Sequence, residues 1–314
     1  MPLHRIPKHR RICASSGEDD AHLAMIPASF TYHAPDTLRQ AVLLMRRYEG
    51  AARILAGGMS LVPAMKMRLM QPEHIIDISK IRALSHIRRE GEGVALGAVT
   101  TYRMVERSRL LATMMPLLPE AASQVGDIQV RNRGTVGGAI AHADPAGDLS
   151  AALLASDASL YLVGGKRSRS VSARRFFLDP YETVLGPTEI VAEIRIPAVA
   201  GRTGSSYVKF GNKASRFAVV GVAASITLDR QARCVRARIA ITGAGPKPAR
   251  AGFAERYLVG KRVTKATLVG TSERAGRGIE FLSDIHGSED YREHLTGVIT
   301  LRALRSAVGQ VMQI

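Results

Sequence analysis

The sequence predicts an α+β protein of two domains. Three observations lead there. The chain has 314 residues, more than the roughly 100–200 of an ordinary single domain. Short apolar runs with strand character alternate with helical patterns up to a Gly-containing linker at residues 198–205. Past that linker, two alternating strands are followed by helices only.

In chain order, residues 1–24 (HRIPKHRR, then SGEDD) show no apolar periodicity and no h-region of a signal peptide. They read as a disordered extension, with Met25 as an alternative start and a cytoplasmic location. Asp36 or Thr37 is the expected N-cap of a helix carrying Leu38, Val42, Leu43 and Met45. A strand at residues 53–55 runs into Gly57 and Gly58, and a helical stretch follows through Met65 and Leu69. Residues 75–78 read as a strand, and residues 85–89 and 94–97 as a hairpin around Glu90-Gly91-Glu92-Gly93. Thr100 or Thr101 is expected to cap one helix through Leu111. A short apolar helix at 149–155 precedes a hairpin of 159–163 with 170–172. Ile190, Ala192, Ile194 and Ile196 alternate with Val191, Glu193 and Arg195, the pattern of a half-buried strand, which Pro197 ends. Strands are expected at 223–228 and 235–242, and a last helix with Leu295, Val298, Leu301, Leu304, Val308 and Val311 inward.

Composition narrows the function classes. With 46% hydrophobic and 23% charged residues, the chain has no stretch apolar enough to span a membrane. Cys13 and Cys234 are its only cysteines, which excludes a disulfide framework and an iron–sulfur cluster held within the chain. The net charge of +17 raises nucleic-acid binding, but there is no Trp, little aromatic interleaving and no recognition motif. Cations such as Arg236 and Arg238, among Val235, Ala237, Ile239 and Ile241, read as a solvated strand face.

Chemistry is concentrated in two glycine-rich turns. Ala56-Gly57-Gly58-Met59-Ser60-Leu61 follows a strand, and Gly134-Thr135-Val136-Gly137-Gly138 follows some 75 residues later. Glycine lets backbone approach a phosphate, and successive N–H groups in such a turn make an anion-binding nest, aided by the positive end of a following helix. Two nests could grip a diphosphate from both sides. Neither turn fits the G-x-G-x-x-G fingerprint or the G-x-x-x-x-G-K-[ST] loop, which disfavours a nicotinamide Rossmann domain and a P-loop enzyme.

Five segments taken in order, LAGGMSLVPAMKMRL, RNRGTVGGAIAHADPAGDL, EIVAEIRIP, YVKFGNKASRFAVVGVAAS and SDIHGSEDYREHLTGVITLRAL, resemble the FAD-binding medium subunits of the carbon monoxide dehydrogenase and xanthine dehydrogenase family. The resemblance covers the chain from about Met25 onward. It implies a two-domain FAD-binding fold of the vanillyl-alcohol-oxidase type, with residues 25–200 as the FAD-binding domain and 201–314 as a C-terminal flavoprotein domain of sheet plus helices. By this resemblance Ala56 to Leu61 and Gly134 to Gly138 hold the FAD diphosphate. Asp148 meets the ribityl or adenosine side of the cofactor, or caps the helix before Leu149, and Val191, Lys209 and Phe217 lie near the flavin ring. Met59 stands where the family has His or Gln, and Arg216-Phe217 where it often has an acidic residue and then Tyr or a small residue. The family places the molybdenum cofactor on a large partner subunit and [2Fe-2S] clusters on a small one, in a dimer of heterotrimers. This subunit then carries electrons from the clusters to an external acceptor and has no residue of its own in substrate chemistry.

His142 and Asp144 suggest an acid–base pair, but their place in the loop after the second turn suits a shaping or partner-contact role better. His33, His74, His86, His286 and His294 lack metal-ligand spacing, and no metal is expected on this chain. Two other readings stand beside electron transfer: a scaffold that has kept the fold and lost the flavin, which the intact Gly57, Gly58, Gly137 and Gly138 oppose, and a basic nucleic-acid-binding protein, which rests on charge alone.

Overall fold

The structure, a computed structural model, describes residues 10–11, 25–164, 167–199 and 201–312. The expectation for residues 1–24 lies outside the described residues, except that β1 (Arg10–Arg11) pairs antiparallel with β2 (Thr31–His33). Thr37 caps α1 (Leu38–Arg47) in a capping box closed by Gln40. Then come β3 (Ala52–Leu55), α2 (Leu61–Lys66) and β4 (His74–Asp77). The sheet order is β1-β2-β4-β3, with β2, β4 and β3 parallel.

The second layer is an antiparallel five-stranded sheet. The hairpin β5 (Ile87–Glu90) and β6 (Gly93–Gly97) leads to α3 (Tyr102–Glu106) and α4 (Arg109–Met114). The single helix expected through Leu111 is broken, because Ser108 caps a new helix by accepting from the Leu111 N–H. α5 (Leu117–Ser123), α6 (Ile128–Arg133), α7 (Val136–His142) and α8 (Asp148–Ala155) follow, then the hairpin β7 (Ser159–Val163) and β8 (Arg169–Ser172). A small hairpin, β9 (Phe177–Asp179) with β10 (Glu182–Thr183), precedes β11 (Ile190–Ile196), and the sheet order is β5-β6-β11-β7-β8.

β11 is more deeply buried than its alternation suggests, since Val191 and Glu193 are 4% and 8% exposed. It is the central strand, and its register against β7 shifts between Val191 and Glu193. That irregularity exchanges the faces: Ile190 and Ala192 join the core under the parallel sheet, whereas Ile194 and Ile196 join the core around α5, α7 and α8.

The third layer is β12 (Arg202–Gly211), β13 (Ala218–Leu228), β14 (Cys234–Thr242) and β15 (Ala249–Arg250), antiparallel in that order. α9 (Gly252–Leu258), α10 (Lys265–Ser272) and α11 (Glu289–Met312) share one core with it. Part of the expected linker is therefore strand: residues 202–205 open β12. Gly204 is there for close packing, because a Cβ would run into the Ala307 carbonyl of α11. On α11 the inward stripe is Leu295, Ile299, Ala303, Leu304, Ala307, Val308 and Val311, while Val298 and Leu301 are only half-buried.

α8 lies between the second sheet and the third, and all eight of its residues are buried, which explains its apolar composition on every side. Asp157, just after it, ties the layers together. It accepts from Arg236 Nη2 and Arg238 Nε, each at 2.6 Å, and from Arg250 Nη1 at 2.8 Å. Arg236 and Arg238 are thus half-buried clamps rather than the solvated face their alternation indicates.

Candidate cofactor site

The first glycine turn joins β3 to α2. Gly58 has φ +77°, a backbone conformation that glycine adopts without a Cβ penalty. Among the described residues, the backbone N–H groups of Gly57, Gly58, Met59, Ser60 and Leu61 have no protein acceptor. Carbonyls of the same turn are in use, for Val62 N–H donates to Gly58 O and Ala64 N–H to Ser60 O. The turn thus presents a run of free donors with two of its carbonyls turned into α2, an arrangement that can receive an anion.

The second turn is built differently. Asp127 caps α6, which leads into Gly134, and Thr135 caps α7. Val136 N–H donates to Thr100 O at 2.9 Å, Gly137 N–H to Ala98 O at 2.8 Å, and Gly138 N–H to Thr135 Oγ1 at 3.2 Å. This turn is not the open nest expected from its glycines. Gly137 is needed because a Cβ there would sit 2.5 Å from Ala98 Cβ and 2.7 Å from Ala98 O. Gly57 is needed because a Cβ would meet the Arg133 carbonyl. The glycines pack the two turns against each other and against the strand end at Ala98.

Both turns open on one cleft of about 630 Å³, inside the usual range of ligand sites, about 300–1,000 Å³. Of the residues expected from sequence, Ala56, Gly57, Gly58, Met59, Ser60, Leu61, Gly134, Thr135, Gly137, Gly138 and Val191 line it. Val136 is buried behind the wall at 1% exposure. Tyr102, His142 and Tyr181 also line the cleft. Only His142 of these was weighed from sequence, and it is a wall residue there, while Asp144 shapes its own loop by accepting from Ala146 N–H at 2.8 Å. Burial pushes the Tyr102 phenol up, helped by the charges of Asp148 and Asp144, so it remains a hydrogen-bond donor. Burial pushes the His142 imidazole down, against the pull of Asp144.

Asp148, Lys209 and Phe217 form a second group, outside the lining of that cleft. Gly147 is the N-cap of α8, so Asp148 is not the cap. Its carboxylate is 6% exposed and accepts from Tyr207 Oη at 2.5 Å and from Lys209 Nζ at 3.1 Å. Burial raises its pKa, and Lys209 and Tyr207 oppose that rise. Lys209 Nζ also donates to Gln124 O at 2.7 Å and Arg216 O at 2.8 Å. It thereby joins the end of α5, the start of α8 and the β12–β13 turn. Arg216 has φ +59° in that turn, and the neighbouring Phe217 is 54% exposed. Nothing in the residue spacing reveals Tyr207 or Gln124, since they meet Asp148 and Lys209 only through the tertiary fold.

A cleft with five donors that have no acceptor among the described residues at one turn, glycines at 57 and 137 where a Cβ would clash and a largely apolar wall fits the diphosphate and flat rings of FAD. Its class is that of a two-domain nucleotide-cofactor protein. The model of the "FAD binding domain in molybdopterin dehydrogenase" matches residues 28–199, and that of the "CO dehydrogenase flavoprotein C-terminal domain" matches residues 205–307. The chain is 40% identical over 284 residues to the carbon monoxide dehydrogenase medium chain of Hydrogenophaga pseudoflava, covering 90% of this chain and 98% of that one. The solved carbon monoxide dehydrogenase from that organism superposes with a TM-score of 0.89, covering 91% of this chain and 100% of the other at 40% identity. Quinoline 2-oxidoreductase from Pseudomonas putida 86 gives 0.86 at 32% identity, covering 91% and 100%. The chain belongs to the family of FAD-binding flavoprotein subunits of molybdenum-containing dehydrogenases, of the carbon monoxide dehydrogenase medium-chain type. Its cofactor is FAD and its fold the two-domain fold of that family.

Proposed function

We propose that this chain is the electron-transfer subunit of a molybdenum hydroxylase complex, taking electrons from [2Fe-2S] clusters of a small partner subunit and passing them to an external acceptor. The molybdenum cofactor then belongs to a large partner subunit, and the assembly is a dimer of heterotrimers. Relatives named as medium chains or subunits, such as the nicotine 6-hydroxylase medium subunit of Paenarthrobacter nicotinovorans, support this reading. Residues 25–200 form the FAD-binding domain and 201–314 the C-terminal flavoprotein domain.

The observation that carries the proposal is the convergence of both glycine turns on one cleft, with N–H groups at residues 57–61 that have no acceptor among the described residues. Those groups take the diphosphate, while Thr135 to Gly138 set the opposite wall. Lys209, held by Asp148 where the two domains meet, is on this reading the cation that approaches the flavin ring from outside the cleft lining. When bound, FAD supplies one- and two-electron redox chemistry. Tyr207 and Asp148 keep Lys209 in position, and no side chain of this chain acts on the substrate.

The test is expression of the full chain with its partner subunits, followed by flavin quantitation and rapid-mixing reduction by substrate. One FAD per chain, reduced after the clusters, is the expected result. A complex that turns over with a dye acceptor and lacks flavin favours the scaffold reading, for which no residue of this cleft speaks.

A further inference from the structure

The hairpin of β9 and β10 turns through Pro180 and Tyr181, with Asp179 paired to Glu182. Proline in the second position and a positive φ in the third define a turn whose third position ordinarily holds Gly or Asn. Here it holds tyrosine, at φ +59°. A bulky residue in the left-handed region persists only where its surroundings impose the conformation.

Two contacts impose it. The Tyr181 N–H donates to Ala143 O at 3.1 Å, and Ala143 is itself left-handed, at φ +52°, where α7 ends. The Tyr181 ring lies 5.0 Å from the His142 ring, tilted by 47°. The strained ends of a hairpin and a helix are thus locked together, and both rings line the cleft. Burial in the protein alone does not explain the strain, because Tyr181 is 59% exposed.

α7 carries the wall of the cleft from Gly138 through Ala139 and Ala141 to His142. At 1.5 Å per residue, His142 is about 6 Å along the helix axis from Gly138, roughly the reach of a diphosphate. The Tyr181 ring, packed on that of His142, stands at this far end of the wall and carries a hydroxyl donor.

We propose that Tyr181, braced by His142, is a positioning residue that closes this wall over bound FAD and slows its release. This rests on the assignment of FAD to the cleft. Aromatic rings offer a large contact area at low entropic cost, and the Tyr181 hydroxyl stays protonated, since burial and the Asp144 charge push its pKa up.

The experiment measures FAD affinity and release by flavin fluorescence in the complex, and melting of its flavin-free form, for wild type, Tyr181→Phe and Tyr181→Asn. Tyr181→Phe keeps the ring and is expected to bind within about twofold of wild type. Tyr181→Asn loses the ring but suits the positive φ. FAD release is expected to quicken about tenfold while the flavin-free melting temperature holds or rises. Wild-type FAD retention in Tyr181→Asn overturns the proposal, and so does a fall in flavin-free melting temperature that accompanies weaker binding. A wild-type complex that turns over and binds no FAD overturns both this proposal and the cofactor assignment beneath it.

Discussion

In the turn after β3, the N–H groups of residues 57–61 have no acceptor among the described residues, whereas in the turn before α7 those of Val136 and Gly137 are bonded to Thr100 and Ala98. Both turns contain a Gly-Gly pair, and from the sequence they look like two copies of one device. Glycine answers to different needs in them. Gly58 takes a left-handed φ with only side chains nearby, Val62 Cγ2 at 3.2 Å and Leu55 Cδ1 at 3.3 Å from a would-be Cβ. Gly137 has an ordinary φ and backbone packed against it. One turn leaves its backbone donors free, as the proposed diphosphate grip requires; the other has its backbone engaged in holding the fold.

Substitutions that separate binding from folding put this contrast at risk. Gly137→Val should have the largest effect, because neither the Ala98 backbone nor α7 can yield cheaply. A destabilisation of about 3 kcal/mol is expected, read as a fall in melting temperature of the flavin-free protein, with flavin loss following from it. Gly58→Val should cost about 1–3 kcal/mol in backbone strain but lower flavin content about tenfold or more. Equal flavin content in Gly58→Val and wild type would remove the first turn from the site.

The pH dependence of stability sharpens a different part of the comparison, since Asp157 belongs to the clamp between layers and not to the cleft. Burial alone would raise its pKa, but hydrogen bonds from Arg238, Arg236 and Arg250 hold it at about 2, against 3.8 for the free group. A folded-state pKa below the unfolded one means stability that is present above 3.8 and lost as pH falls toward 2. With its side chain 32% exposed, the contribution is roughly 1–2 kcal/mol after allowing for solvent screening. Acid titration of Asp157→Asn should lack this loss between pH 4 and 2, and an unchanged profile would show the clamp to be electrostatically inert. The smallest effect is expected from Thr135→Ala, which removes the α7 cap at a cost of about 1 kcal/mol. Flavin affinity should stay within about twofold of wild type if, as proposed, residues 57–61 supply the donors.

Local signals account for what the sequence made legible. The α1 cap, read as Asp36 or Thr37 and found at Thr37, and the hairpin around Gly91 are set by neighbours in the chain. β12 was hidden because Gly201 and Gly204 read as linker, whereas Gly204 marks the approach of α11 from about 100 residues away. The face exchange in β11 was hidden because a register shift is a property of two strands, and one strand's alternation cannot show it. At the site, glycine spacing located both turns, but the partners of their N–H groups depend on Ala98 and Thr100, which nothing local connects to Gly137. Tyr181 carried no sequence signal beyond the preceding proline, since its positive φ is imposed by Ala143 and His142.

The division of labour between the turns is tested most directly by amide hydrogen exchange of the full chain, in its complex, with and without FAD. The N–H groups of residues 57–61 should exchange freely in the flavin-free form and become protected when FAD binds. Those of Val136 and Gly137 should be protected in both. FAD binding that leaves residues 57–61 unprotected, or that newly protects Val136 and Gly137 instead, would contradict the assignment of the first turn as the diphosphate grip.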